Sequence, residues 1–476
     1  MFFFKALLNK SNGAVWIFII YSVSICCGTP KDEQIESPKN NHENSLEVSL
    51  PDTIKGGHLY PKIVINHDEL NTFALYIPKF YRPNKFWPAV FFFDAEGAGT
   101  SAIEKYKSIA DSLGFILIGS NASKNGQTPE ESLNIWQSLK TSCLYNLPID
   151  KNKVILAGFS GGARVCCTIA ATEPSTFAVI ANSAGAQQLD KIFNQNTIFI
   201  GLAGNGDMNR AEMLGIEQQL YSATLTHYYI EFDGIHEWAP PKIMHKALMM
   251  VILKMYQKNP TEINDAITEG FISNQKLEIE KLKEQGKWIE AYRELELLNK
   301  GTLNLIKFEF ENLDSLKINP NYIAQKSELL KITAKETEIQ QELYQLMIDN
   351  PNPTAWKAKI DQIRKSSVRK NMFGQMNQRL LGYASLVCYS LSNRMLVAKK
   401  YPSAENIISC YEIADPNNPE VYFFKALVAG SKQDKETTLA FLKKAIQLNL
   451  KNQQRISFQS EFLFMKDQEA FKELLK

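Results

Sequence analysis

Histidine is scarce in this chain, with six among 476 residues. Any chemistry that needs an imidazole base must use one of very few positions. Cysteine is also sparse, seven in all. Beyond Cys26 and Cys27 only Cys143, Cys166, Cys167, Cys388 and Cys410 remain, without the spacing of a zinc site or of a disulfide framework. No metal and no cofactor is therefore expected, and the adjacent Cys166 and Cys167 read as small apolar fillers of a helix. Charge of one sign is lacking too: the formal net is +2 and the basic residues are dispersed, which leaves no electrostatic footprint for nucleic acid. The apolar stretch near the N-terminus, Ala14 to Ile25, is too short for the ~20 residues that span a bilayer as a helix.

What is present begins with that short stretch. Lys5 and Lys10 precede it and Cys26-Cys27-Gly28 closes it, the layout of a secretory h-region. An apolar run meeting cysteine beside small residues resembles a bacterial lipoprotein signal, whose cysteine becomes the lipidated first residue of the mature chain. The resemblance implies a signal over residues 1–27 and lipid on Cys27, which fits better than Cys26 because Gly28 follows it. It also implies membrane association through that N-terminal lipid, at the bacterial cell envelope, periplasmic or on the cell surface. "GTPKDE" after Cys27 resembles the lysine-plus-acidic signal that sends some Gram-negative lipoproteins to the surface. The alternative is a signal peptide cleaved without lipid. Residues 28–50 are rich in Lys, Glu, Asn and Pro and read as a disordered tether.

From residue 51 to 258 strand-like and helix-like patterns alternate. Strands are expected at 60–66, 72–77, 88–94, 115–120, 153–158, 177–182, 197–202 and 226–232, and helices at 101–113, 129–146, 161–172, 209–222 and 240–257. An opening strand pair followed by repeated αβ units predicts an α/β domain with a doubly wound, mostly parallel sheet covered on both faces. After Asn259-Pro260 the periodicity becomes entirely helical through residue 476. The stretch 419–450 resembles a tetratricopeptide repeat, with Pro419 at its start and Tyr422, Ala426, Leu442 and Ala445 at the aromatic, small, large and small positions. That implies an all-α, repeat-like domain able to bind a protein partner; a generic helical bundle is the alternative. This half is expected to supply no catalytic group, so a chain ending near residue 258 should keep activity on a small ester if it stays folded.

One short segment carries the chemistry. In "VILAGFSGGARVCCTIAA", residues 154–171, an apolar strand runs into Gly158-Phe159-Ser160-Gly161-Gly162 and then into a helix. A bare Gly-x-Ser-x-Gly arises by chance in roughly one chain of this length in seven. The strand-turn-helix context is more telling, because such a turn lifts a serine hydroxyl above a sheet and aims helix-start N–H groups at it. Gly158 and Gly162 leave room where a side chain would strike a neighbouring strand or helix. A tight turn without chemistry is the plainer reading.

A nucleophilic serine needs a base, and the six histidines narrow the choice. His42 lies in the tether, His58 and His67 at the first hairpin, His227 at a strand start and His245 inside a helix. His236, in "YYIEFDGIHEWAPP", follows a strand in a loop, where sheet enzymes place catalytic groups. The carboxylate should leave the preceding strand, and Asp207 of "GNGDMN" does so. Ser160, Asp207, His236 then stand in the order serine, acid, histidine. Asp207 could instead only cap the helix that follows, and Asp233 and Glu237 rank below it because they crowd the histidine. An oxyanion hole would combine the Gly161 N–H with one from "FFFDAEGAGT", where Ala98 is the first choice and Gly97 the second; Glu96 beside it is an unexpected negative charge.

"GFSGGAR", "GNGDMN" and "GIHEWAPP" together resemble the α/β-hydrolase superfamily, near the polyhydroxybutyrate depolymerases and the feruloyl and acetyl-xylan esterases, over residues 51–258. Ile235 stands where that group usually has a second glycine. The resemblance implies a serine hydrolase acting on a small-molecule or polysaccharide-linked ester. A serine peptidase on the same scaffold, or a catalytically decayed envelope adaptor binding protein through its helical half, are the alternatives.

Overall fold

The computed structural model describes residues 50, 54–186, 196–221, 225–302, 305, 312–349, 351–450 and 453–475. The signal segment, Cys27 with its expected lipid, and the tether up to residue 49 lie outside the described residues. Among those described, no helix is long and apolar enough to cross a membrane.

Eight strands form one sheet: β1 (Leu59–Ile65), β2 (Asp68–Tyr76), β3 (Trp87–Phe93), β4 (Ile116–Ser120), β5 (Ile149–Phe159), β6 (Thr176–Asn182), β7 (Ile198–Gly204) and β8 (His227–Phe232). Their order across the sheet is β1-β2-β4-β3-β5-β6-β7-β8, with β2 antiparallel to both neighbours and every later pair parallel. Parallel strands need crossovers, and helices α1 (Gly99–Leu113), α2 (Pro129–Asn146), α3 (Gly161–Thr172) and α4 (Arg210–Tyr221) supply those from β3 to β4, β4 to β5, β5 to β6 and β7 to β8. The central strands read as unbroken apolar runs because both faces are covered. Val90, Phe92, Ile155 and Ala157 enter one core, while Ala89, Phe91, Phe93, Val154 and Leu156 enter the other, the two-residue alternation of a strand.

Two strands are longer than the sequence pattern suggests. β2 starts at Asp68 instead of 72, because an edge pairing with β1 tolerates the exposed Asp68-Glu69-Leu70. β5 starts at Ile149 instead of 153, where Ile149 pairs with Trp87 and carries the polar Asp150-Lys151-Asn152 along.

Helix α5 (Pro241–Lys258) lies against the sheet and is buried on all sides, with Ala247, Met249, Met250, Val251 and Leu253 all inaccessible. Its outer side is covered by α6 (Asp265–Glu284) and α7 (Trp288–Thr302), whose Phe271, Ile272, Leu295 and Leu298 belong to the same core as β3 and β5. The change in pattern at Asn259-Pro260 is thus not a change of core. Gly301 marks the close crossing: a Cβ there would stand 2.2 Å from Met250 Cε. A separate core begins at Ile332 and runs to Phe471 through α8 (Pro320–Asp349), α9 (Pro353–Ser367), α10 (Met372–Val397), α11 (Tyr401–Ala414), α12 (Pro419–Ser431) and α13 (Lys435–Gln447). Helices α12 and α13 pack together, burying Ala426, Leu442 and Ala445. The described residues make one compact unit.

Candidate active site

The sheet delivers three loops to one rim. Ser160 links β5 to α3 with φ 52° and ψ −119°, a conformation that costs a serine ~1–3 kcal/mol and is held by its surroundings. Its N–H donates to the Asn182 carbonyl on β6 at 2.9 Å. The flanking glycines are required by packing. A Cβ on Gly158 would lie 2.3 Å from the Gly162 carbonyl oxygen, and one on Gly162 only 1.9 Å from that of Phe93 on β3.

The loops after β7 and β8 are stitched together. Asn205 N–H donates to Phe232 O and Gly206 N–H to Gly234 O, each at 2.8 Å. Gly204 allows this approach, since a Cβ there would stand 2.5 Å from Gly234 O and 2.6 Å from Ile235 O. Ile235 occupies the expected glycine position with its side chain 55% exposed, so the loop accommodates it.

These loops bring the three sequence-selected side chains into line. His236 Nδ1 lies 3.0 Å from Asp207 Oδ1, and His236 Nε2 lies 3.1 Å from Ser160 Oγ. The carboxylate keeps the proton on Nδ1 and leaves the Nε2 lone pair facing the serine hydroxyl. Asp207 is fully buried, whereas 23% of the His236 side chain is exposed. Asp207 Oδ1 also accepts from Asn209 N–H at 2.8 Å, a bond two residues on in the turn that precedes α4 and not a bond to an N–H inside the helix. Phe159 packs against the imidazole at a centroid distance of 4.9 Å and limits its rotation.

The other acids and histidines do different work. Asp233 is exposed and accepts from Asn205 Nδ2 at 3.3 Å, and Glu237 is exposed. His227 Nδ1 meets the Leu225 carbonyl at 3.0 Å, and burial pushes its imidazole and that of His245 below the usual range. His58 packs on Tyr60, and His67 sits in the β1–β2 turn. His42 lies outside the described residues.

Gly161 opens α3, so its N–H has no helical carbonyl to bond. Ala98 stands at the N-cap of α1. Gly97, with φ 73°, donates a 3.4 Å bond to Asp94 O and is tucked against the Asn121 carbonyl, so its N–H serves the turn. Glu96 is exposed, and its N–H donates to Asp94 Oδ1 at 2.8 Å.

Four residues that the sequence reading did not select frame this rim. Buried Asp94, at the end of β3, accepts from Trp238 Nε1 at 2.7 Å through Oδ2, tying the Ala98 loop to the histidine loop. Buried Asn182, at the end of β6, accepts from Ala239 N–H at 2.7 Å and donates to Glu237 O at 3.2 Å. Asn125, whose N–H donates to Ala95 O at 2.8 Å, lays its carboxamide on Gly161: a Cβ there would be 1.7 Å from Asn125 Oδ1. The available signal was a polar residue closing each apolar strand run, at Asp94 and Asn182, and for Trp238 its place two residues after His236 in "GIHEWAPP"; Asn125 gave none of comparable strength.

The fold is an α/β-hydrolase fold. No protein-family model matches the chain, and no curated protein matches it. Among solved structures, the chain is similar to the S-formylglutathione hydrolase of Staphylococcus aureus at 14% identity, over 42% of this chain and 99% of that one, with a TM-score of 0.33. It is similar to esterase B of Lactobacillus rhamnosis (HN001) at 14% identity, over 43% and 88%, with a TM-score of 0.35. A feruloyl esterase module from Clostridium thermocellum complexed with sinapinate matches at 12% identity, over 43% and 87%, with a TM-score of 0.33.

Proposed function

We propose that this chain is a serine hydrolase acting on carboxylic esters through an acyl-enzyme. The observation that carries the reading is the continuous relay from buried Asp207 through His236 to Ser160 on a strained turn at a helix start. Ser160 Oγ attacks the ester carbonyl carbon while His236 Nε2 takes the hydroxyl proton. The oxyanion that forms is met by the Gly161 N–H and a second donor from the Ala98 loop. Collapse breaks the bond to the alcohol oxygen, which leaves with the proton from His236. Water then attacks the acyl carbon, gives one proton to His236 and releases the acid as that proton returns to Ser160. Asp207 stabilises the imidazolium in both halves and is not itself protonated.

A fluorophosphonate probe tests this directly. The wild-type chain should be labelled and Ser160→Ala should not; absence of wild-type labelling together with no turnover across ester substrates would leave the adaptor reading in place. The location is part of the same proposal: an exported protein held at the bacterial envelope by lipid on Cys27, supported by the short apolar run and the polar segment after it. Metabolic palmitate should label the wild type and not Cys27→Ala. Equal labelling of that variant would move the site to Cys26, and no labelling of either would end the lipoprotein reading.

A further inference from the structure

The loop that carries Asp207 is gripped from the far helical half. Arg379 on α10 is 3% exposed and Glu336 on α8 is 6% exposed. Arg379 Nε donates to Glu336 Oε1 at 2.8 Å and Nη2 to Oε2 at 2.5 Å, a bidentate fork. The remaining nitrogen, Nη1, donates at 2.5 Å to the carbonyl of Asn205, two residues before Asp207. The neighbouring side chain of Gln378 closes on Gly206, where a Cβ would stand 2.6 Å from its Oε1. One turn along α10, Gly382 admits Met208, since a Cβ there would lie 3.2 Å from both Met208 Cβ and Sδ. Residues 378, 379 and 382 therefore bear on residues 205, 206 and 208, on both sides of Asp207.

A buried ion pair alone is close to break-even, because desolvation offsets the attraction between its charges. This pair does something more specific. Glu336 takes two of the guanidinium's donor positions and fixes its plane, so the third points at one backbone oxygen with charge-assisted strength. A carbonyl held in this way fixes the height of the loop, and with it the distance from Asp207 Oδ1 to His236 Nδ1. Displacement of about 1 Å at a reacting constellation can cost 10²-fold in rate.

We propose that Arg379, oriented by Glu336, is a positioning residue for Asp207, so that the helical half completes the hydrolase site; this rests on the hydrolase reading above. The test uses the full chain. Glu336→Leu combined with Arg379→Met replaces the pair with apolar side chains and removes the bond to Asn205 without stranding a buried charge. Arg379→Lys keeps a charge that cannot fork. Turnover of a soluble p-nitrophenyl ester is measured together with the low-field proton resonance of His236 Nδ1–H, with near-ultraviolet circular dichroism reporting the fold. The double variant should lose about 10- to 100-fold in kcat with KM little changed, its low-field resonance moving upfield or broadening, and Arg379→Lys should fall between it and wild type. A folded double variant with wild-type kcat and an unmoved resonance overturns the proposal, leaving the pair as a tie between helices. Should the double variant not fold, Arg379→Lys decides on the same two measurements. If the wild type turns over no ester, the hydrolase reading fails by itself and the resonance alone decides the positioning role: shifted in the variant supports it, unmoved overturns it.

Discussion

The sheet half and the helical half are held together inside by different physics. Within the sheet the interior is apolar, and polar groups gather at the rim where strands end. Where the helices meet the sheet half, buried charges recur: Lys246 of α5 with Glu294 of α7 at 2.6 Å, Glu231 of β8 between Arg210 and Arg293, and Arg379 with Glu336 under the Asp207 loop. Apolar packing is tolerant of small slips, whereas a forked ion pair accepts one alignment. The difference teaches that apolar burial, shared between the sheet and helices α5 to α7, supplies stability, while the ion pairs at the junction supply register between the halves.

The largest effect expected in the sheet half is at the relay. Ser160→Ala and His236→Ala should each reduce kcat on the order of 10⁴-fold or more, and the double variant should be little worse than either, since the members act as one unit. Asp207→Asn should cost less if other contacts still orient the ring, and Asp233→Asn should remain near wild type. If Asp233→Asn abolishes turnover while folded Asp207→Asn does not, the acid has been misassigned.

A chain cut after residue 258 tests whether the sheet half stands alone. The pattern change there invites the expectation that it does, but the cut removes Phe271, Ile272, Ile279, Leu295 and Leu298 from the core shared with α5. At ~1.5–3 kcal/mol for each buried side chain, the loss rivals the 5–15 kcal/mol that holds an ordinary domain together. The truncated chain should show no cooperative thermal transition. A sharp transition with retained ester turnover would break the comparison drawn above.

Glu231 gives the smallest and most finely graded test. Burial raises its carboxyl, but the Arg210 and Arg293 guanidiniums outweigh that and hold it down at about 2. A carboxyl depressed on folding stabilises the native state above its unfolded value of ~4.3, and that stabilisation drains away as pH falls through the folded value. Glu231→Gln should therefore be less stable than wild type by about 3 kcal/mol at pH 7, with the gap closing between about pH 4 and 2. Urea unfolding across that range reads it, and a gap that does not narrow would mean the carboxylate is not what the arginines serve.

Local signals made the sheet half legible. Thr128 and Glu131 form a capping box with Pro129 at the first helical position, so α2 begins where the helix was expected, at 129. The glycine-bounded turn exposed Ser160, and the scarcity of histidine pointed to His236. Legibility failed where the signal is a relation between distant residues. Glu336 and Arg379 lie on separate helices among many other charged positions, and nothing in either neighbourhood names the other or the Asn205 carbonyl. The segment 240–257 was readable as a helix, yet that it would be buried all round, and by which helices, was not.

The bond between Arg379 and Asn205 spans 174 positions of chain. Synthesis proceeds from the N-terminus, and folding generally follows in that order. Ser160, Asp207 and His236 thus all emerge well before the residue that levels the acid's loop. If the positioning role proposed above holds, a chain folding in this order would reach full turnover only once α8 and α10 dock.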